Sequence, residues 1–221
     1  AAGSFNGPRR VLVLGASSGF GLASRIALTF GAGADTLGIS FERGPSDKGL
    51  GSAGWYNDIW FRQAAEQEGR IAINLIGDAF SDAMRQQAID AIRQQLGQVD
   101  LVIYSLASGI RVLPDGRQVR SVLKTTGQPF SGWGLDLEQD TLVQQSLAPA
   151  TPEEIRDTVT VMGGEDWQLW LQALQQADCL APGAQTVAYS YIGPESTYPL
   201  YRDGTIGYAK EHLHATAETI N

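Results

Sequence analysis

A doubly wound parallel α/β fold is predicted by three features of the chain: five short apolar, strand-like runs, helical patterns between them, and a glycine-rich loop directly after the first run. The runs occupy 10–15, 35–41, 71–76, 100–107 and 186–193. None alternates apolar and polar residues throughout, and several are apolar at consecutive positions, as strands covered on both faces are. Strands alternating with helices then give a parallel sheet with helices on both of its faces.

The elements follow in order. After RVLVLG the pattern from Leu22 onward reads as a helix. The stretch 52–68 predicts a second helix with a weaker pattern. Ser81 caps a third, on which Met84, Ala88 and Ile92 recur every fourth position. A long insertion, about 109–180, separates the fourth and fifth runs. Its Pro114-Asp115-Gly116 turn predicts a hairpin between 111–113 and 118–122. In TPEE, Thr151 is an N-cap, Pro152 takes the first helical position and Glu154 completes a capping box. The helix after MGGEDW carries Trp167, Trp170, Leu171 and Leu174, which read as packing residues. Such an insertion forms part of the substrate side of a cleft. The expectation is one dinucleotide-binding domain over 1–221 that lacks its C-terminal strands, because five strands stand where such folds have six.

Charge and composition narrow the partners. Lys and Arg number 16 against 24 Asp and Glu, a net charge of −8, which argues against nucleic acid or an anionic membrane surface. No apolar run approaches the roughly 20 residues that span a bilayer. Cys179 is the only cysteine, so no intrachain disulfide forms and a reducing cytoplasm is the expected compartment. It has no histidine beside it in sequence and reads as structural. His212 and His214 lie two apart, which does not place both rings on one helical face, so a metal site is not expected. Glu165 and Asp166 head a helix, where acids favour the dipole.

The loop Gly15-Ala16-Ser17-Ser18-Gly19-Phe20-Gly21 joins the first strand to the first helix. Glycines there permit a tight turn and close backbone approach, and the helix start offers N–H groups to a pyrophosphate. Ser17 and Ser18 add hydroxyl donors. Glu42 ends the second run, where a carboxylate binds ribose hydroxyls and repels a 2′-phosphate, favouring NADH over NADPH. Arg43 beside it is of a type that can accommodate that phosphate, and reads here as a solvated charge instead. Asp78-Ala79 after the third run and Leu106-Ala107 after the fourth are placed near adenine and ribose by the same carboxyl-end rule. The fold is thus of Rossmann type.

Near the C-terminus, YPLYRDGTIGYAK places Tyr201 and Lys210 nine positions apart. One continuous helix would turn through about 900° over that interval and point the two side chains to opposite sides. Asp203-Gly204 is a turn signal, and Thr205 is expected to cap a helix beginning after it. A turn there frees the two side chains to converge.

The stretches NGPRRVLVLGASSGFGLASRIALTFG, ADTLGISFER, AGWYN, GDAFSD, LGQVDLVIYSLAS, LAPATPEEI, VMGGEDWQLW and YRDGTIGYAK resemble the trans-2-enoyl-CoA reductase/enoyl-ACP reductase family. That family is a divergent relative of the short-chain dehydrogenases marked by Tyr-x8-Lys. The resemblance runs from Asn6 to the last helix. It implies NADH-dependent reduction of a trans-2-enoyl thioester, carried on acyl-carrier protein or CoA, at the last step of fatty-acid elongation. It further implies that Gly15–Phe20, Phe41, Glu42, Asp78, Ala79, Leu106 and Ala107 contact NADH/NAD. Tyr201 falls on the catalytic tyrosine, Lys210 on the lysine that serves catalysis and cofactor binding, and Tyr191 on the substrate-contacting tyrosine. The sequence departs from the family pattern at SLASGIR, where a proline is usual in place of Gly109. Family members also extend beyond both ends of this sequence, so a fragment, a proteolytic product or half of a two-piece assembly with the C-terminal segment as a separate piece is the expectation, and a monomer is expected besides. Two rival readings go with it: a non-catalytic NAD(H)-binding or regulatory module, and a short-chain alcohol or ketone dehydrogenase. The absence of a Tyr-x3-Lys pair at the expected place argues against the second.

Overall fold

Residues 11–14 of the first strand have no solvent exposure at all, which only a sheet covered on both faces allows. The computed structural model describes residues 7–191 and 193–220. They divide into two compact units, 7–107 with 169–189 and 108–168 with 190–191 and 193–220.

The first unit is a five-stranded sheet in the order β3-β2-β1-β4-β9. Its strands are β1 (Arg10–Leu14), β2 (Asp35–Ser40), β3 (Ala72–Ile76), β4 (Val99–Tyr104) and β9 (Leu180–Ala188), and every pairing is parallel. The strand order reverses direction between β1 and β4, the switch point at which open α/β sheets bind ligands. Helices α1 (Gly19–Ile26), α2 (Ala53–Gln67) and α3 (Asp82–Ala91) make the crossovers, and α1 and α3 each run on into a wider π turn. Val11, Val13, Leu101 and Ile103 pack with Ala16, Ala34 and Leu28. Phe61, Ala65 and Ala72 form a second cluster with Leu22. Ser81 caps α3 as expected, its hydroxyl accepting the Met84 N–H at 3.2 Å.

The fifth strand differs from its expected span. It covers 180–188 rather than 186–193, and Ile192 lies outside the described residues. The reason lies in its partner. β4 ends at Tyr104, whose carbonyl takes the last ladder bond from Tyr189 N–H at 3.0 Å, so nothing remains for the chain beyond to pair with. The earlier start was hidden because Ala181-Pro182-Gly183-Ala184 bulges out of the ladder, with Gly183 at φ 74°, and reads in sequence as a turn.

A charged cluster is buried in this unit. Arg25 has no exposure, and donates to Thr36 Oγ1 at 3.0 Å, Asn74 Oδ1 at 2.7 Å and the Ile73 carbonyl at 2.8 Å. Its guanidinium stacks 4.2 Å from the Phe61 ring centroid and lies 3.7 Å from Asp58, which accepts a 2.6 Å bond from Ser40. Burial lowers the Arg25 pKa to about 10 and pushes the Asp58 carboxyl up. Gly38 in β2 has no Cβ to occupy the guanidinium's place.

The second unit holds two antiparallel hairpins, β5 (Ile110–Val112) with β6 (Gln118–Arg120) and β7 (Phe130–Asp136) with β8 (Thr141–Leu147). The first was expected and the second was not. Its alternation is broken by Gly132 and Gly134, and its turn at 137–140 relies on Asp136, whose carboxylate accepts the Glu138 and Gln139 N–H groups, rather than on glycine or proline. Helix α4 (Pro152–Met162) carries the predicted capping box at Thr151 and Glu154. It packs against α7 (Thr205–Ile220). The close approach is aided by Gly164, whose N–H donates to His212 Nδ1 at 3.0 Å. Helix α5 (Glu165–Gln176), which from Leu169 onward belongs to the first unit, buries Trp167 and Trp170, and α6 is the short turn Tyr198–Tyr201. Among the described residues no helix is long and apolar enough to cross a membrane.

Replacing Arg25 by Ala leaves the Asp58 carboxyl buried without its counter-ion and removes three hydrogen bonds. The expected loss is about 3–5 kcal/mol in urea unfolding; a change below about 1 kcal/mol would show that the cluster contributes little.

Candidate functional site

The first unit gathers the expected nucleotide-binding residues at the carboxyl ends of four adjacent strands. β1 runs into the glycine loop, whose Gly15 and Ala16 N–H groups both donate to the Ile39 carbonyl of β2, at 2.9 and 3.0 Å. Gly15 sits at φ 85°, and a Cβ there would strike the Ser105 carbonyl following β4. A Cβ at Gly21 would in turn strike the Gly15 carbonyl. The two glycines therefore let strand, loop and helix lie close enough for the first turn of α1 to present its N–H groups beyond the strand ends. Ala16 is fully buried beneath the loop, while Ser18, Gly19 and Phe20 are exposed above it.

Ser17 is not free for a ligand in this arrangement. It is 5% exposed and donates at 2.5 Å to Glu42 Oε1. Ser52 donates to the other carboxylate oxygen of Glu42. Asn57, on α2, donates to the Ser17 carbonyl at 2.9 Å. Phe41, beside Glu42, is 82% exposed. After β3, Asp78 turns its carboxylate onto the Phe80 N–H at 2.9 Å, and the buried Ala79 offers its carbonyl to Trp170 Nε1–H at 3.0 Å. Trp170, expected only to pack, also fixes the loop that carries Asp78 and Ala79. After β4, Leu106 is half-buried against the glycine loop and Ala107 is exposed.

The second unit gathers Tyr191, Tyr201 and Lys210. The Tyr191 and Tyr201 rings meet edge to face at 83°, with centroids 6.0 Å apart. Lys210 Nζ lies 5.4 Å from the Tyr191 centroid and 5.8 Å from that of Tyr201. Burial lowers the Lys210 pKa below its ordinary value.

The backbone explains the meeting. α6 ends at Tyr201, the chain reverses at 202–204, and α7 begins at Thr205. Both the Arg202 and the Asp203 N–H groups fold back onto the Tyr198 carbonyl, at 3.0 and 2.8 Å. A Cβ at Gly204 would enter the Lys124, Leu200 and Pro199 carbonyls, and one at Gly207 would enter the Arg202 carbonyl. Thr205 is the first residue of α7 rather than its cap. Its hydroxyl donates to the Val122 carbonyl and accepts the Lys124 N–H at 3.3 Å, so it is committed to the irregular segment 122–126 and not to the helix end. That segment also reaches the turn through Thr126, which donates to the Asp203 carbonyl at 2.7 Å, and through the Lys124 carbonyl, which accepts the Thr205 N–H at 2.9 Å. Nothing in VLKTT marks it in sequence as a brace.

Other candidates resolve into structure. Cys179 is fully buried and its thiol pKa is raised by burial, the opposite of a reactive thiolate. His212 caps a backbone N–H, and His214 lies 3.5 Å from Glu218 on the exposed side of α7.

A family model described as the trans-2-enoyl-CoA reductase catalytic region matches residues 49–221, and one described as the NAD(P)H binding domain of trans-2-enoyl-CoA reductase matches residues 1–47. The enoyl-(acyl-carrier-protein) reductase (NADH) 2 of Photobacterium profundum is 58% identical over 98% of this chain and 55% of its own length. Trans-2-enoyl-CoA reductase from Treponema denticola, in complex with NAD, superposes with a TM-score of 0.95 at 48% identity, covering 99% of this chain and 55% of its own. The enzyme of that name from Clostridium acetobutylicum, in complex with NADH, gives 0.96 at 45% identity, covering 100% and 56%. The chain thus spans about half the length of the curated relatives it matches.

Replacing Gly207 by Ala forces a methyl group into the Arg202 carbonyl and opens the turn. The expected cost is about 1–3 kcal/mol in thermal or urea unfolding. A variant as stable as the parent would show that the turn tolerates a wider approach.

Proposed function

The chain belongs to the trans-2-enoyl-CoA reductase family, and from that premise we propose that it serves NADH-dependent reduction of the trans-2 double bond of an enoyl thioester, the closing reduction of fatty-acid elongation. The observation that carries this reading is the meeting of two tyrosines with a half-buried lysine across the 202–204 reversal. The thioester is carried on acyl-carrier protein or CoA, the two carriers named among the relatives.

The residues present fit a dinucleotide. Gly19 has open space where a side chain would stand, which admits a pyrophosphate close to the backbone, and the Glu42 carboxylate suits the two hydroxyls of an unphosphorylated ribose. Gly15, Ala16, Ser17, Ser18, Gly19 and Phe20 form the loop that meets the cofactor, with the exposed Ser18, Gly19 and Phe20 facing the pyrophosphate; Phe41 and Glu42 meet the adenosine, Asp78 and Ala79 the adenine side, and Leu106 and Ala107 the ribose. Lys210 holds the nicotinamide ribose. When bound, NADH supplies the hydride that reduces the β-carbon of the substrate.

The protein's own part is electrostatic. As the double bond is reduced, negative charge gathers on the thioester oxygen. Tyr201 donates a hydrogen bond to that oxygen, an interaction that strengthens as the charge develops and so lowers the barrier. Lys210 stabilises negative charge that passes onto the phenol. Tyr191, edge-on to Tyr201, fixes its ring and shares the carbonyl. A later proton from solvent completes the α-carbon.

Tyr201→Phe in the full-length protein keeps the ring packing and removes the donor. Turnover of crotonyl-CoA with NADH is expected to fall ~100- to 1000-fold, with NADH affinity by fluorescence titration unchanged. Unaltered turnover would refute the assignment. The lowered Lys210 pKa carries a second expectation. Its charge is lost as pH rises through that value, so the alkaline limb of the rate profile should fall at lower pH than an ordinary lysine at about 10.4. Lys210→Arg should push that limb upward; a limb at the same pH in both would exclude Lys210 as its source.

A further inference from the structure

Glu42 owes its position to two residues that follow it by ten and twelve places, at the start of α2. A glutamate at the end of a strand has three free side-chain torsions and costs entropy to hold. Here it is held on both oxygens, by Ser17 from the glycine loop and Ser52 from the entry to α2. Ser52 occupies the N-cap position of α2 with extended backbone, where a serine ordinarily caps the helix with its hydroxyl, yet it makes no side-chain cap bond. The hydroxyl is diverted to Glu42. It also accepts the Arg43 N–H at 3.1 Å, and the Ser52 N–H donates to the Arg43 carbonyl at 2.9 Å, so the same residue pins the backbone on the far side of Glu42.

Gly54, in the first turn of α2, completes the holder. A Cβ there would overlap both carboxylate oxygens of Glu42. Gly54 lies in regular helix, where alanine is the better former, so its glycine is explained by space and not by backbone conformation.

We infer that Ser52 and Gly54 set the choice between NADH and NADPH by fixing the Glu42 carboxylate where it accepts ribose hydroxyls and opposes a 2′-phosphate. They are positioning residues, and the inference rests on the proposed role of Glu42. Each carboxylate oxygen keeps a lone pair for the ribose while its other is taken by a serine. A released carboxylate swings away from the 2′ position and leaves Arg43, freed with it, to meet a phosphate.

Two variants of the full chain test this by calorimetric titration with NADH and with NADPH. Ser52→Ala removes one tether. Gly54→Ala displaces the carboxylate, the mobile end of a flexible side chain, while favouring the helix, so its melting temperature should hold or rise as its selectivity falls. In both, the ratio of NADPH Kd to NADH Kd should drop by about tenfold, the scale of one charge-assisted hydrogen bond. Ser52→Thr, which keeps the hydroxyl, should retain the parent ratio. Parent binding of NADH with a ratio within about twofold of parent in both alanine variants would overturn the inference and leave the reductase reading standing. Failure of the parent itself to bind NADH would remove the role of Glu42 and this inference with it.

Discussion

The reversal at Arg202–Gly204 is the constraint on which the candidate chemistry depends. Carried through as one helix, the segment would set Tyr201 and Lys210 on opposite sides. Instead the Tyr198 carbonyl gathers the Arg202 and Asp203 N–H groups, the chain turns, and a new helix starts one residue later. The turn is tight enough to exclude a Cβ at Gly204 and at Gly207. Its outer side is tied by the Thr205 and Thr126 hydroxyls and the Lys124 carbonyl. Rigidity of this kind is what a charge-stabilising donor needs, because a phenol that must first be ordered gives back part of its benefit.

The nucleotide side follows a different physical logic. There, position comes from the sheet. Four parallel strands end together, and the loops after them deliver a glycine turn, a carboxylate, the Asp78-Ala79 pair and the apolar Leu106-Ala107 pair. Beneath them the buried Arg25 ties β2 to β3 through Thr36, Asn74 and Ile73, spanning the strands that carry Glu42 and Asp78. Side chains then refine what the sheet places, as Trp170 does for Ala79 and as Ser17 and Ser52 do for Glu42.

Much of this was legible in the sequence. Consecutive apolar positions in RVLVLG and DLVIYSLA announce strands buried on both faces, and TPEE announces a helix start through a local mechanism that needs no tertiary context. The turn was readable from the Asp203-Gly204 signal itself, and it freed Tyr201 and Lys210, paired by the family resemblance, to converge. What escaped depends on partners distant in sequence. The hidden start of β9 lies behind a bulge that looks like a turn, and its end is fixed by where β4 stops. The β7–β8 hairpin turns on an aspartate in place of glycine. Thr205 and Ser52 carry the hydroxyls of ordinary helix caps and spend them elsewhere, on Val122 and on Glu42. Only coordinates reveal such diversions.

The claim that the turn makes a functional unit of Tyr201 and Lys210 is tested most directly by a double-mutant cycle on enoyl-thioester turnover, using Tyr201→Phe, Lys210→Met and both together in the full-length protein. Groups that act as a unit are strongly non-additive, so the double variant should be no worse than the poorer single variant within about threefold. Rate losses that multiply, leaving no coupling between the two, would contradict the account.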